Sequence, residues 1–158
     1  MLTTNTSHGK PYIEPADLHN NLQDAVRLLE GLLALNISLP MKKRMLNHEI
    51  WQVAIASGSF KPRYRSAEVI KGNGDKIERD HVFQKKALIE RLLQKPHEAE
   101  QVVKSAISCA VTKAEHDKLT QHSRTHPEDD GWTRYQNSGI TVYDMLTGTE
   151  LSHGNSAA

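Results

Sequence analysis

The strongest constraint on the fold of this 158-residue chain is a junction between a short apolar run and a helix start. Residues 107–111 form the strand-like run, and Thr112 follows three positions before Glu115. Thr-x-x-Glu is a capping box, in which the threonine hydroxyl accepts a backbone N–H and the glutamate reaches back to the N–H of the cap residue. The sequence therefore predicts a strand that passes directly into a helix, with His116 in its first turns.

Two helical patterns precede this junction. Asp17 is a good N-cap for a helix whose apolar residues recur at helical spacing until Asn36. Pro40 stands in the first-turn position that proline tolerates, and the pattern after it continues until Gly58. Residues 17–58 are therefore interpreted as a helical scaffold.

The middle of the chain has a different texture. A turn cluster at residues 72–75 separates two short segments with β-branched or aromatic residues, which suggests a hairpin or a tight loop. Asp80 and His81 fall near the end of its second arm. Helical runs are predicted next for residues 82–93 and 97–107.

The C-terminal part is polar at first and then alternating. Residues 122–131 are predicted to form a loop, and residues 132–151 a short terminal hairpin. With 37% hydrophobic residues, the chain can form a modest core. The expectation is one α+β domain over residues 1–158.

Composition excludes several classes of protein. The single cysteine, Cys109, permits no intrachain disulfide and no paired zinc knuckle, so a metal would have to bind His, Asp, Glu or Asn. No apolar stretch approaches the roughly 20 residues that cross a bilayer, so no membrane association is expected. The N-terminal residues show no basic leader followed by an apolar region, and the expected location is the cytoplasm.

Charge is distributed unevenly along the chain. Residues 41–95 contain 13 Lys/Arg against 6 Asp/Glu, a net +7, whereas the rest carries 7 against 13, a net −6. A basic segment suits a phosphate backbone, although a solvated surface gives the same pattern. The basic residues expected to contact DNA are Lys61, Arg63, Arg65, Lys71, Lys85 and Lys86.

The chemistry-bearing constellation is an Asp80-His81 pair in one strand and His116 in the later helix. Adjacent residues of an extended segment point to opposite sides, so one can bind a metal while the other faces a substrate. Metal-assisted phosphodiester hydrolysis needs a Lewis acid on the phosphate and a neutral imidazole to deprotonate water. If Asp80 and His116 share one ion, the carboxylate and the imidazole should lie within ~5 Å of each other.

These residues resemble the HNH, or ββα-metal, endonucleases. The segments IERDHVFQKKALIERLL and SCAVTKAEHDKL carry the resemblance, which covers roughly residues 64–119. In that family a ββα unit presents an Asp-His or His-His pair and an Asn or His from the helix. Here 26 residues, largely helical, separate the two strands as an insertion. The family's middle Asn has no clear match, and Ser108 and Thr112 are the two candidate substitutes.

The resemblance implies a role for each matching residue. Asp80 and His116 would bind a divalent ion, favoured as Mg²⁺ or Mn²⁺ with Zn²⁺ and Ni²⁺ as further candidates, and His81 would be the general base. The resemblance implies the ββα-metal core, residues 60–122, and says nothing about the N-terminal helices. With the helical and strand patterns, the expected fold is α+β, with the N-terminal helical pair packed on that core and a short terminal hairpin. The implied partner is DNA, and cutting both strands would favour a homodimer.

Other residues carry weaker hypotheses. His122 and His126 could add a ligand, but solvated loop histidines are the commoner case. Trp132, Arg134 and Tyr135 look like a stacking and phosphate-binding set, yet core packing of the tail is the preferred interpretation. Cys109 is interpreted as buried packing. The rival function is a non-catalytic binding or inhibitor protein, for instance a phage or mobile-element regulator, on a degenerate HNH-like or helical fold.

Overall fold

The structure is a computed structural model and describes residues 9–58, 62–74 and 76–151. The described residues divide into two compact units. We name as the sheet unit the described residues within 9–14, 62–80 and 108–151. We name as the helical unit residues 15–58 and 81–107.

Helices account for most of the regular structure among the described residues. They are α1 (Leu18–Ala34), α2 (Leu39–Ala56), α3 (Ala67–Lys71), α4 (Lys85–Gln94), α5 (Ala99–Ser105), α6 (Lys113–Thr125) and α7 (Trp132–Asn137). A 3₁₀ turn, Pro96–Glu98, joins α4 to α5. The strands are β1 (Tyr64–Ser66), β2 (Ile77–His81), β3 (Ser108–Thr112), β4 (Val142–Asp144) and β5 (Thr149–Glu150).

The helical unit contains α1, α2, α4 and α5 around one apolar core. All four helices contribute side chains with no exposed surface, which are Leu29, Leu46, Ile50, Leu92 and Val102. Burying a side chain of this size contributes about 1.5–3 kcal/mol. The four helices predicted from apolar spacing are confirmed, and the predicted insertion completes the core of the N-terminal helices.

The starts of α1 and α2 follow their sequence signals to different degrees. Asp17 occupies the N-cap of α1, but its side chain makes no capping hydrogen bond to the described residues. Ser38 caps α2, where its hydroxyl accepts the N–H of Met41 at 3.4 Å. Pro40 lies in the first turn, as predicted.

The sheet unit contains a five-stranded sheet in the order β2-β3-β1-β4-β5. Strand β1 runs parallel to β3, with Tyr64 opposite Cys109, and antiparallel to β4, with Arg65 opposite Tyr143. Strand β5 pairs antiparallel with β4. The sheet is therefore mixed, with β3 and β1 at its centre.

The turn cluster after β1 does not make a hairpin. Strand β3 lies between β1 and β2, so the segments on either side of residues 72–75 are not neighbours. The chain instead forms α3, which ends at Gly72 in the left-handed conformation (φ 78°) that glycine adopts without strain. The hairpin alternative was wrong because the turn residues determine only the local backbone. They do not prevent β3, which is distant in sequence, from pairing between the two segments.

The predicted junction of strand and helix is confirmed. The Thr112 hydroxyl accepts the N–H of Glu115 at 3.2 Å, and the Glu115 carboxylate accepts the N–H of Thr112 at 2.9 Å. The same carboxylate accepts the hydroxyl of Ser66 at 2.6 Å, which ties β1 to the start of α6. The start of α6 is therefore fixed by both its own cap and the neighbouring strand.

The C-terminal part differs from its prediction. Helix α6 continues through Thr125, and residues 132–137 form α7 instead of a strand. Trp132 and Tyr135 are one helical turn apart, and the Trp132 ring packs on Tyr64 at 5.1 Å between centroids. The predicted hairpin is confirmed only for β4 and β5. In residues 132–137, packing at helical spacing overrides the strand propensity of Trp132 and Tyr135.

The α+β class is confirmed by the mixed sheet and the helices. Residues 81–107 group with the N-terminal helices in the helical unit. In the described ranges, no helix is long and apolar enough to cross a bilayer.

Candidate functional site

Asp80 lies near the end of β2 in the sheet unit and is 7% exposed. Its Oδ2 accepts a hydrogen bond from Arg134 Nη2 at 2.5 Å and another from the Tyr135 hydroxyl. Arg134 Nη1 reaches the other oxygen, Oδ1, at 3.5 Å. A buried carboxylate requires such partners, because leaving it without them costs several kcal/mol.

Helix α7 delivers both partners of Asp80. Gly131 precedes the helix with φ 63° and ψ −147°, a conformation that only glycine adopts readily. The next turn places Trp132 against Tyr135, with 5.3 Å between ring centroids. Arg134 and Tyr135 are 3% and 2% exposed, which confirms the core interpretation of this segment.

Burial determines the protonation of two groups around Asp80. Burial first, and then the nearby Cys109 and Asp80, raise the pKa of the Tyr135 hydroxyl well above 10. Burial, followed by the carboxylates of Asp80 and Glu115, likewise raises the pKa of the Cys109 thiol well above its ordinary value. Tyr135 is therefore a hydrogen-bond donor at neutral pH, and Cys109 is a buried neutral thiol, as predicted.

His116 approaches Asp80 from the start of α6. Its Nε2 lies 3.9 Å from Asp80 Oδ1, and its side chain is 35% exposed. The capping box fixes this placement, because it sets where the first turn of α6 begins. The pair thus combines a buried carboxylate oxygen with an imidazole that solvent can reach.

The separation of these two atoms suits a shared metal ion. Donors bound to one ion at about 2.0–2.2 Å lie roughly 3–4 Å apart at common coordination angles. Imidazole nitrogen and carboxylate oxygen are ligands for Mn²⁺, Zn²⁺ and Ni²⁺. Within the described part of the chain, no group of three or more His, Cys, Asp or Glu side chains is arranged to hold a metal. Asp80 and His116 supply two donor atoms at such a separation.

His81 belongs to the helical unit, where its ring packs on Trp51 with 5.2 Å between centroids. Both ring nitrogens are buried. Activating a water molecule would require one of these nitrogens to become accessible to solvent.

The two stand-ins for the family's middle Asn are both engaged in structural hydrogen bonds. Ser108 is buried in β3, and its hydroxyl accepts from Arg79 Nη1 at 2.8 Å. The Thr112 hydroxyl caps α6. The hydroxyl of Ser108 is thus used within the sheet, and the hydroxyl of Thr112 is used in the cap of α6.

Two of the predicted DNA-contacting arginines have protein partners. Arg63 forms a two-point ion pair with Asp144, at 2.8 and 2.7 Å. Arg65 has no exposed surface and donates to the carbonyls of Pro62 and Lys10 at 2.8 Å each. A guanidinium buried in this way fixes the backbone of the sheet unit and does not meet a phosphate; the expectation of a surface residue was wrong for Arg65.

The lysines predicted to contact DNA have different surroundings from the two arginines. Lys71, at the end of α3, is 45% exposed and lies 3.8 Å from Glu68. In the helical unit, the ammonium of Lys85 lies 5.8 Å from the centre of the Trp51 ring, and Lys86 is exposed. Lys61 lies outside the described residues. Exposed lysines of this kind can contact phosphates, and they are equally compatible with a solvated surface.

The histidines at the end of α6 form a separate cluster. His122 bonds Asp129 at 2.7 Å, and its ring stacks on His126 with 4.5 Å between centroids. Asn137 donates to the same Asp129 oxygen at 2.8 Å. The cluster joins the end of α6 to α7 and lies apart from the predicted ligands, Asp80 and His116.

Arg134 and Tyr135 are the residues whose place at the site was not predicted. The available signal was an arginine inside an otherwise aromatic segment, WTRY, expected to be core. A buried arginine requires an anionic partner, and Asp80 was the only acidic residue already assigned to a site.

Comparison with known proteins adds no family to this description. No protein-family model, curated protein or solved structure matches the chain.

Proposed function

We propose that this chain is a divalent-metal-dependent endonuclease that hydrolyses phosphodiester bonds in DNA, with the metal on Asp80 and His116. The observation that carries the proposal is the 3.9 Å separation between Asp80 Oδ1 and His116 Nε2. Strand β2, strand β3 and helix α6 occur in this order along the chain, with α4 and α5 between the two strands, and the HNH resemblance implies the order strand, strand, helix. That resemblance supplies the reaction class.

The residues have distinct tasks in this proposal. Asp80 supplies a carboxylate oxygen, and His116 supplies an imidazole nitrogen on the solvent side. When bound, the ion supplies Lewis-acid polarisation of a phosphoryl oxygen. The assignment of His81 as general base stays a prediction from the resemblance, and it requires a buried ring nitrogen to become accessible.

DNA contact is assigned to the exposed Lys71 and Lys86 and to the half-buried Lys85. Lys71 in the sheet unit, and Lys85 and Lys86 in the helical unit, carry the positive charge that a phosphate backbone attracts. Such contacts are sequence-independent, so the proposal includes no base preference. Binding through them weakens steeply as the salt concentration rises.

Cleavage of supercoiled plasmid tests the enzyme proposal. We expect the wild-type protein to nick or linearise the plasmid with Mn²⁺, Zn²⁺, Ni²⁺ or Mg²⁺, and EDTA to stop the reaction. His116→Ala, and Asp80→Asn provided that it stays folded by circular dichroism, should each lose cleavage by at least about 10- to 100-fold, the range for groups that support a metal site. His97→Ala is the matched control, because His97 is exposed in the 3₁₀ turn of the helical unit.

Two results would contradict the proposal. One is a wild-type protein, folded by circular dichroism, that cleaves plasmid with none of the four ions. The other is a His116→Ala variant that cleaves as fast as the wild type. His81→Ala should also lose cleavage if His81 is the base, provided that the variant keeps its helical circular dichroism.

A second candidate function is a non-catalytic binding protein. The observation that favours it is the Arg134 guanidinium, which already neutralises the Asp80 carboxylate. In that case the pair is a structural part of the sheet unit, and the exposed lysines bind an anionic partner. Salt-dependent DNA binding that is unchanged by EDTA and by His116→Ala, without any cleavage, would support this function.

A further inference from the structure

The two oxygens of the Asp80 carboxylate have different surroundings. Oδ2 accepts from Arg134 Nη2 at 2.5 Å and from the Tyr135 hydroxyl. Oδ1 has a longer contact of 3.5 Å with Arg134 Nη1 and lies 3.9 Å from His116 Nε2. Arg134 therefore contacts both oxygens, Oδ2 at short range together with Tyr135 and Oδ1 at longer range, and Oδ1 is the oxygen that faces the imidazole.

We propose that Arg134 and Tyr135 are positioning residues that hold Asp80 by Oδ2, so that Oδ1 is presented to a metal shared with His116. The inference rests on the proposed metal site and assigns two residues of α7 to it. Carboxylates that bind metals are themselves hydrogen-bonded, and such outer partners fix the orientation of the ligand. Neither residue touches the ion or the substrate in this role.

Geometry supports a positioning role for both residues. Each is at most 3% exposed, so neither side chain can move away to solvent. The Tyr135 ring is further held by Trp132 at 5.3 Å.

The positive charge of Arg134 also lowers the affinity of the site for a metal ion. A positive charge beside the carboxylate repels a dication, so Arg134 lowers affinity through charge while raising it through orientation. Tyr135 contributes orientation without charge. Removing only its hydroxyl therefore isolates the positioning effect, and Tyr135→Phe is the decisive variant.

Titration calorimetry with Mn²⁺ alone measures the effect. We expect Tyr135→Phe to weaken Mn²⁺ binding about 10-fold, at the lower end of the 10- to 100-fold range for such outer partners. Tyr143→Phe is the matched control, because Tyr143 lies on β4 and pairs with Arg65 across the sheet. The titration is run well below the melting temperature, where a merely structural role would leave the affinity of the folded protein unchanged.

Each result decides a different claim. Mn²⁺ binding that is equal in wild type and Tyr135→Phe overturns the positioning role and leaves the metal site intact. A wild-type protein that binds no Mn²⁺ overturns the proposed function, and this inference with it. If Tyr135→Phe does not fold, Arg134→Lys decides, since an ammonium cannot contact both carboxylate oxygens as a guanidinium does; unchanged affinity there overturns the inference.

Discussion

Asp80 and Arg134 lie 54 positions apart in the sequence and form a buried ion pair in the sheet unit, with 2.5 Å between Oδ2 and Nη2. The pair joins the end of β2 to α7. Removing one partner leaves the other charge buried without compensation, which costs about 3–5 kcal/mol. The pair is therefore a strong test of whether β2 and α7 are arranged as described.

Arg134→Ala should lower the free energy of unfolding by about 3–5 kcal/mol, because Asp80 then stays buried without its cation. Urea denaturation followed by circular dichroism measures the change. Arg27→Ala serves as the control, since Arg27 forms an exposed pair with Asp24 and such pairs contribute roughly 0–1 kcal/mol. A loss below 1 kcal/mol in Arg134→Ala would contradict the buried pair.

Thr112→Val should lower stability by about 1 kcal/mol. The substitution keeps the shape of the buried side chain but removes the hydroxyl that accepts the Glu115 N–H. Thr120→Ala, in the body of the same helix, is the comparison. An unchanged midpoint of thermal unfolding in Thr112→Val would show that the capping box does not stabilise α6.

The Arg63–Asp144 pair predicts a dependence of stability on acid. Burial alone would raise the pKa of Asp144, but the Arg63 guanidinium and the N–H of Leu146 hold it below its ordinary value. A lowered carboxyl pKa stabilises the fold above about pH 4, and this contribution disappears as the pH falls through the folded-state pKa. Asp144→Asn should therefore flatten the decline of unfolding free energy between about pH 4 and pH 2.

The control for that titration is Asp24→Asn. Asp24 is 73% exposed in its pair with Arg27, so the substitution should leave the pH profile unchanged. If unfolding free energy depends on pH in Asp144→Asn as it does in the wild type, Asp144 does not contribute to the loss of stability in acid.

The donor set also predicts a preference among metals. Mg²⁺ favours several hard oxygen ligands, whereas His116 offers nitrogen and the charge of Asp80 is shared with Arg134. Zn²⁺, Ni²⁺ and Mn²⁺ should bind more tightly than Mg²⁺ in calorimetry, by at least about 10-fold. Equal or tighter binding of Mg²⁺ would argue against a site that includes His116.

Local signals predicted much of the fold. The Thr112 cap, the Pro40 helix start and the apolar spacing of the four helices each depend on residues that are close in sequence. The proximity of Asp80 and His116 was expected on the condition that both bind one ion, and their 3.9 Å separation agrees with that expectation.

What the sequence did not predict depends on long-range pairing. The insertion of β3 between β2 and β1, and the grouping of residues 81–107 with the N-terminal helices, are decided by packing between distant segments. The pairing of Asp80 with Arg134 depends on that same packing. Arg65 shows the same limit for the prediction of surface residues. Its charge indicated a solvent-facing side chain, and only the structure shows its hydrogen bonds to backbone carbonyls.

The most direct test of the metal site is anomalous X-ray scattering from crystals of the wild-type protein grown with Mn²⁺. We expect an anomalous peak about 2.0–2.3 Å from both Asp80 Oδ1 and His116 Nε2, with Arg134 and Tyr135 still on Oδ2. A crystal in which Mn²⁺ occupies other positions, or none, while the Asp80–His116 pair stays empty, would contradict it.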